Sequence, residues 1–187
     1  EKVTFLIDKL LIKNYSNPDL FSLVSNIDYL EKNNSNKRKA LTSLIQNLPF
    51  GKDNVQNYLP LLPFAVEQLD LSNYDIIISS SHAFAKGVIT SPDQLHISYV
   101  HTPMRYAWDQ MNIYLNQSKL AQYGLEIPIR YLLHYLRNWD FISAQRIDYI
   151  VANSSFTARR IKKYWGLDSK IIFPPVDVER FKFNTTR

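Results

Sequence analysis

The sequence predicts an α/β fold in which an open parallel sheet is flanked by helices. Three observations carry that prediction. Short apolar runs at residues 74–79, 95–100 and 147–152 have strand length, and helical periods separate them. Strands that alternate with helices imply a parallel sheet with right-handed crossovers. Hydroxyls, amides and imidazoles follow directly after those runs, at the carboxyl edge where open α/β sheets bind ligands.

The chain of 187 residues is long enough for one domain with a real core. Its 45% hydrophobic and 21% charged residues are those of a globular protein. Cysteine is absent, which excludes a disulfide framework and a thiolate metal site. No apolar run reaches the roughly 18 residues of a spanning helix, and no signal-peptide pattern is present. The four glycines form neither GxGxxG nor GxxxxGK[ST], so the usual phosphate cradles are missing. The formal charge of +5 is unevenly placed. Residues 1–94 hold nine Lys/Arg and ten Asp/Glu, and residues 95–187 hold thirteen and seven. The basic second half suits an anionic partner or a merely solvated surface.

Taken in order, residues 1–15 space Val3, Phe5, Leu6, Leu10 and Leu11 as an amphipathic helix. Pro18 closes it, and DLFSLVS at 19–25 alternates as a strand. Residues 33–39 form a polar, basic loop, and 42–48 are short and mixed. In NVQNYLPLLPFAVEQLD at 54–70, a helix starts near Pro63, since proline suits a first turn. YDIIIS at 74–79 is nearly all apolar, the pattern of a strand buried on both faces. The strand at 95–100 ends at His101-Thr102-Pro103, because the residue before a proline leaves helical geometry. Residues 104–126 read as a long, irregular aromatic loop, a length that in compact domains marks function or mobility. A helix spans 127–146, with Leu132, Leu133, Leu136, Trp139, Ile142 and Ala144 proposed for its packed face. A strand at 147–152 runs into Asn153-Ser154-Ser155, and either serine can cap a helix at 156–165 that Gly166 stops. Residues 170–173 form a last strand, and 176–187 thin into a polar tail.

Three strand ends therefore meet on one edge, bringing Ser81 and His82, His101 and Thr102, and Asn153 and Ser154 together as substrate-binding candidates. His101 can serve as acid, base or hydrogen-bond donor near neutral pH. His82 and His101 lie on separate strands without HxxxH spacing, which argues against a metal. Ser81, His101 and Asp109 invite a hydrolytic triad, but Ser79-Ser80-Ser81 is not a GxSxG elbow. The helix at 156–165 carries Arg159, Arg160, Lys162 and Lys163. Its amino terminus suits a phosphate, and its surface suits anionic lipid with Trp165 at the interface, or simply water.

Four stretches, in this order and spacing, carry a family resemblance: YDIIISSSHAFAKGVIT, LHISYVHTPMRYAWD, LLHYLRNWDFISAQRIDYIVANSSFTARRI and IIFPPVDVERF. They resemble the amino-terminal half of the GT-B retaining glycosyltransferases of the group 1 family. The likeness is to the mannosyltransferase branch of O-antigen and exopolysaccharide assembly, with HTPMRYAWD and PPVDVERF its most specific parts. It covers most of the chain, best from residue 59 onward.

The resemblance implies a Rossmann-like, acceptor-side domain over residues 1–175 and the start of an interdomain linker at 176–187. In the family, a first strand and a Gly-Gly loop precede the Glu-Lys at which this chain opens. A donor-binding domain with two glutamates seven residues apart follows the linker. The implied reaction is retaining transfer of a hexose, mannose from GDP-mannose, to a lipid-linked or glycan acceptor, without metal or other cofactor. His101 falls where the family places a histidine against the transferred sugar. Arg105, Tyr106 and Asp109 would shape the acceptor side, and Asn153, Ser154 and Arg159 would face the cleft. Such an enzyme works in the cytoplasm, where it can sit on the inner face of the membrane, and half of it alone would be inactive. A non-enzymatic membrane or polysaccharide binder is the alternative. Nucleic acid is disfavoured, because the basic residues are not interleaved with strand aromatics.

Overall fold

A computed structural model describes residues 18–25, 40–118 and 121–175. The predicted helix at 1–15, the loop at 33–39 and the tail at 176–187 lie outside these described residues. The architecture is α/β with parallel sheets flanked by helices. Strands β3 (Ile76–Ser81), β4 (Leu95–Val100), β5 (Tyr149–Ala152) and β6 (Lys170–Ile171) form a parallel sheet in that order. A second sheet pairs β1 (Phe21–Ser22) with β2 (Leu41–Thr42), also in parallel. The strand read at 19–25 thus shrinks to two residues. A mutual amide clasp holds its end, as Ser25 N donates to Gln46 Oε1 at 2.8 Å and Gln46 Nε2 donates to Ser25 O at 3.1 Å. Between the two sheets lies a cavity of about 220 Å³, lined by Leu20, Phe21 and Leu23 on one side and Ile76 to Ser80 on the other.

The helices are α1 (Leu62–Glu67), α2 (Met111–Gln117), α3 (Glu126–Ala144) and α4 (Ser155–Trp165). Pro63 sits in the first turn of α1 as expected, although a 3-10 stretch at Val55–Leu61 precedes it. The loop read at 104–126 instead contains α2 and a π turn at Ala121–Leu125. The short apolar set of α2 is too brief to show a period. The limits of α4 are plain in its chemistry. The Ser154 hydroxyl accepts the Thr157 N–H, Lys162 and Lys163 oppose the dipole in the last turn, and Gly166 takes φ 74 where its N–H bonds Lys162 O.

Two expectations need correction. Strand β3 is not buried on both faces: Ile77, Ser79 and Ser81 are buried, while Ile76 and Ile78 are exposed. Strand β4 alternates in the same way, with His96, Ser98 and Val100 inside. Among the described residues the helices pack on one face of the sheet, so alternation survives in strands whose sequence looks uniformly apolar. Ile142 is not packed either; it points outward from α3, whose inner face is Leu133, Leu136, Trp139, Asp140, Ser143 and Ala144.

At the centre of the helix layer lies a buried ion pair. Lys86 and Asp140 are 1% and 0% exposed, with Nζ 3.1 Å from Oδ1. Lys86 Nζ also donates to Ser143 Oγ at 2.5 Å and Asp140 O at 3.1 Å. Asp140 Oδ2 accepts the indole N–H groups of Trp108 and Trp165, each at 2.8 Å. The ammonium stands 4.8 Å from the Trp139 ring and 5.1 Å from that of Trp165. All three tryptophans of the chain therefore touch the pair. Gly87, next in line, leaves room for Trp139, whose ring a Cβ there would overlap.

Lys86→Met leaves Asp140 charged in a dry interior. It is expected to cost about 3–5 kcal/mol in urea unfolding followed by tryptophan emission. Adding Asp140→Leu is expected to recover only part of that loss, because two indole N–H groups then lack their acceptor.

Candidate functional site

The parallel register aligns the strand ends. Ser81 pairs with Val100, and Val100 with Ala152. The bonds continue one residue further, from His101 N to Ser81 O at 2.9 Å and from Asn153 N to Val100 O at 3.3 Å. His82, His101 and Asn153 therefore leave the sheet at one level.

His101 is the most constrained of them. Its Nε2 lies 2.9 Å from Ser80 Oγ. Its ring stacks on His82, with centroids 4.1 Å apart and planes 9° apart, and Tyr99 meets it edge-on at 5.4 Å. Thr157 Oγ1, in the first turn of α4, donates to His101 O at 3.0 Å and fixes the backbone. Burial, with the neighbouring His82, pulls the His101 pKa from 6.5 down to about 4. Burial and the Arg105 charge lower that of His82. Both rings are neutral at pH 7, so each can offer one N–H and one lone pair.

The turn after His101 is anchored at several points. Thr102 Oγ1 donates to Pro103 O at 3.0 Å. Met104 and Ala107 are buried, and Arg137 Nε donates to Ala107 O at 2.8 Å. Trp108 stacks on Tyr164 at 4.7 Å while its indole reaches Asp140. Asp109 receives a two-pronged bond from Arg160, with Nη2 to Oδ1 at 2.8 Å and Nη1 to Oδ2. That guanidinium holds the Asp109 carboxyl below the usual range. Arg105 remains exposed. Tyr106 packs edge-on to Tyr114 at 6.0 Å, and burial pushes its phenol well up.

Of the residues picked from sequence, His82, His101 and Thr102 share one strand edge, and Asn153 and Ser154 lie beside them. Ser154 is the helix cap, its hydroxyl 3.0 Å from Asn153 Oδ1. Arg159 is exposed on α4, 5.9 Å from the Phe156 ring. Ser81 is buried and accepts the Lys86 N–H at 3.3 Å. Ser81, His101 and Asp109 thus have separate partners rather than forming a triad. Trp165 is buried, so it is not at a lipid interface. Two partnerships are not read from sequence: Ser80 holds His101, and Arg160, expected on the basic outer surface of the helix, is instead buried and holds Asp109. Strand parity points to the first, since Ser80 pairs with Tyr99 and His101 continues the Tyr99 face.

Among the described residues, no three His, Cys, Asp or Glu side chains are grouped to hold a metal, and no helix is long and apolar enough to cross a membrane. A family model described as Glycosyltransferase Family 4 matches residues 25–180. No curated protein and no solved structure matches the chain.

His96 is buried against Ser79 Oγ at 2.9 Å, and burial also lowers its pKa to about 4. An imidazole with a depressed folded pKa binds its proton less readily than the unfolded chain does. Its stabilising effect is complete above pH 6.5 and is lost as pH falls through about 4. Melting temperature is expected to fall across that window, and His101→Gln is expected to flatten part of the slope.

Proposed function

Because the chain belongs to glycosyltransferase family 4, we propose that it is the acceptor-side domain of a retaining GT-B enzyme. The enzyme transfers a hexose, mannose from GDP-mannose, to a lipid-linked or glycan acceptor in cell-surface polysaccharide synthesis. One observation supports this most: a neutral, doubly held histidine at the end of β4, between two other strand ends.

In retaining transfer, the bond from the sugar's anomeric carbon to the diphosphate oxygen breaks. The acceptor oxygen bonds to the same face, and its proton passes to the departing diphosphate oxygen. Positive charge develops on the sugar and negative charge on the diphosphate. A protonated histidine would oppose the first, so the low pKa of His101 suits it to hydrogen bonding at the sugar. Ser80 occupies Nε2, which leaves Nδ1 for the substrate. Asn153 and the amino end of α4 lie on the same edge, where N–H groups can meet the leaving diphosphate. Arg105 and Tyr106 line the acceptor side. The bond to Arg160 gives Asp109 the part of bracing that wall rather than taking a proton.

The domain limits belong to the same reading, with residues 1–175 as the domain and 176–187 as linker.

Sugar transfer by the full reading frame, from GDP-mannose to a polyprenyl-diphosphate-linked acceptor, tests this. His101→Ala is expected to lower kcat about 100-fold or more with the melting temperature kept near that of the parent. Full activity in the variant would demote His101. No transfer from any common nucleotide sugar would favour the alternative of a membrane- or polysaccharide-binding module.

A further inference from the structure

Helix α4 opens on half of a capping box. Ser154 at the cap accepts the Thr157 N–H at 3.2 Å, as a capping serine does. In the full motif the residue three positions on is Glu or Gln, and its side chain turns back to the cap. Here that residue is Thr157, 3% exposed, and its hydroxyl reaches out of the helix. It donates to His101 O at 3.0 Å, on the strand end that carries the candidate histidine. Threonine is a middling helix former, so what it contributes at this position is the hydroxyl.

The bonds continue past Thr157. Ser154 Oγ has one hydrogen and two acceptors within reach, Asn153 Oδ1 at 3.0 Å and Thr157 Oγ1 at 3.2 Å. Thr157 Oγ1 spends its own hydrogen on His101 O and can accept the one from Ser154. When Ser154 donates to Thr157, it polarises that hydroxyl and strengthens the bond to His101. When Ser154 donates to Asn153, that support is withdrawn. Asn153 is half-buried at the same strand edge. A ligand that draws Asn153 Oδ1 away leaves the Ser154 proton to Thr157.

We propose that Thr157 is a positioning residue, which passes the state of the Asn153 side chain to His101 through the shared Ser154 hydroxyl. The inference deepens the transfer reading and rests on it, since that reading puts Asn153 beside the leaving diphosphate and His101 at the sugar. His101 is held elsewhere by the sheet and its turn: the ring by Ser80 and the His82 stack, the N–H by Ser81 O. Its carbonyl is the tie to the helix layer. A change in that tie tilts the peptide and slides the ring on His82.

The test applies two readouts to the full reading frame. The first is sugar transfer. Thr157→Val is expected to lower kcat about tenfold or more, with KM within about twofold of the parent. Thr157→Ser keeps the hydroxyl and is expected to restore most of the rate. Asn153→Ala combined with Thr157→Val is expected to cost less than the product of the single effects, because the two share one proton. The second readout is NMR titration of the imidazole C–H signals. His101, with its pKa at about 4, is expected to titrate nearer 6.5 in Thr157→Val as the ring loosens from its stack. His96 is expected to stay at about 4, which reports an intact core. An unchanged kcat in Thr157→Val would overturn the proposal. So would a lost kcat that Thr157→Ser fails to restore, or one that leaves the His101 titration unmoved, since either makes Thr157 a packing residue only. Fully multiplicative costs in the double variant would overturn it too. If the parent transfers no sugar, the transfer reading fails by itself; a shifted His101 then still supports the positioning role, and an unmoved one overturns it.

Discussion

The structure depends on one costly interaction, the Lys86–Asp140 pair. Burial, with the Arg146 charge, pulls the Lys86 pKa down, and the Asp140 carboxylate offsets only part of that. Such a pair is tolerated only when its remaining hydrogen-bonding capacity is filled. Here Ser143 and a helix carbonyl accept from the ammonium and two indoles donate to Asp140 Oδ2, while Asp140 Oδ1 faces the ammonium alone. Those partners come from different parts of the chain: the turn after β3, helix α3, the turn after β4 and helix α4. The pair therefore works as a fixed vertex. None of these four segments can shift without leaving a charge or an indole N–H unsatisfied.

The candidate site inherits that rigidity. Trp108 hangs from Asp140, and the turn that carries it begins at His101. Arg137 and Arg160 fasten the same turn at Ala107 and Asp109. Catalytic and binding groups have to be held by a second layer of contacts to be useful. For His101 that layer is Ser80, His82 and Thr157, contributed by β3, its following turn and α4. What these contacts hold fixed is the geometry of the strand edge, and the helix layer behind it maintains that geometry.

The same layer shows how one helix can carry two apolar rows. The inner row of α3 belongs to the core, and its outer row is nearly as apolar. A periodicity argument finds the apolar positions but cannot rank the two rows. This is why periodicity alone places Ile142 on the packed face, although the structure exposes it. Residue type carries a hint, since the outer row holds tyrosines and the inner row holds leucines and the polar pair.

Much was legible from the residues. The parallel order of strands near 76–81, 95–100 and 149–152 follows from apolar runs separated by helical periods. The stop at His101 follows from Pro103, and the limits of α4 follow from Ser154 and Gly166. These are local effects of backbone sterics, capping and side-chain period, and a sequence states them directly. Partnership across the fold was not legible. Nothing near Lys86 announces Asp140, 54 residues away, and nothing near Asp109 announces Arg160, 51 residues away. The strand edge could be named from sequence, but its working neighbours could not. Which serine meets His101, which carboxylate is already spent and which face of a helix is covered depend on register and layer packing. Those are settled only when distant segments pay the desolvation of their polar groups together, and only the tertiary structure decides them.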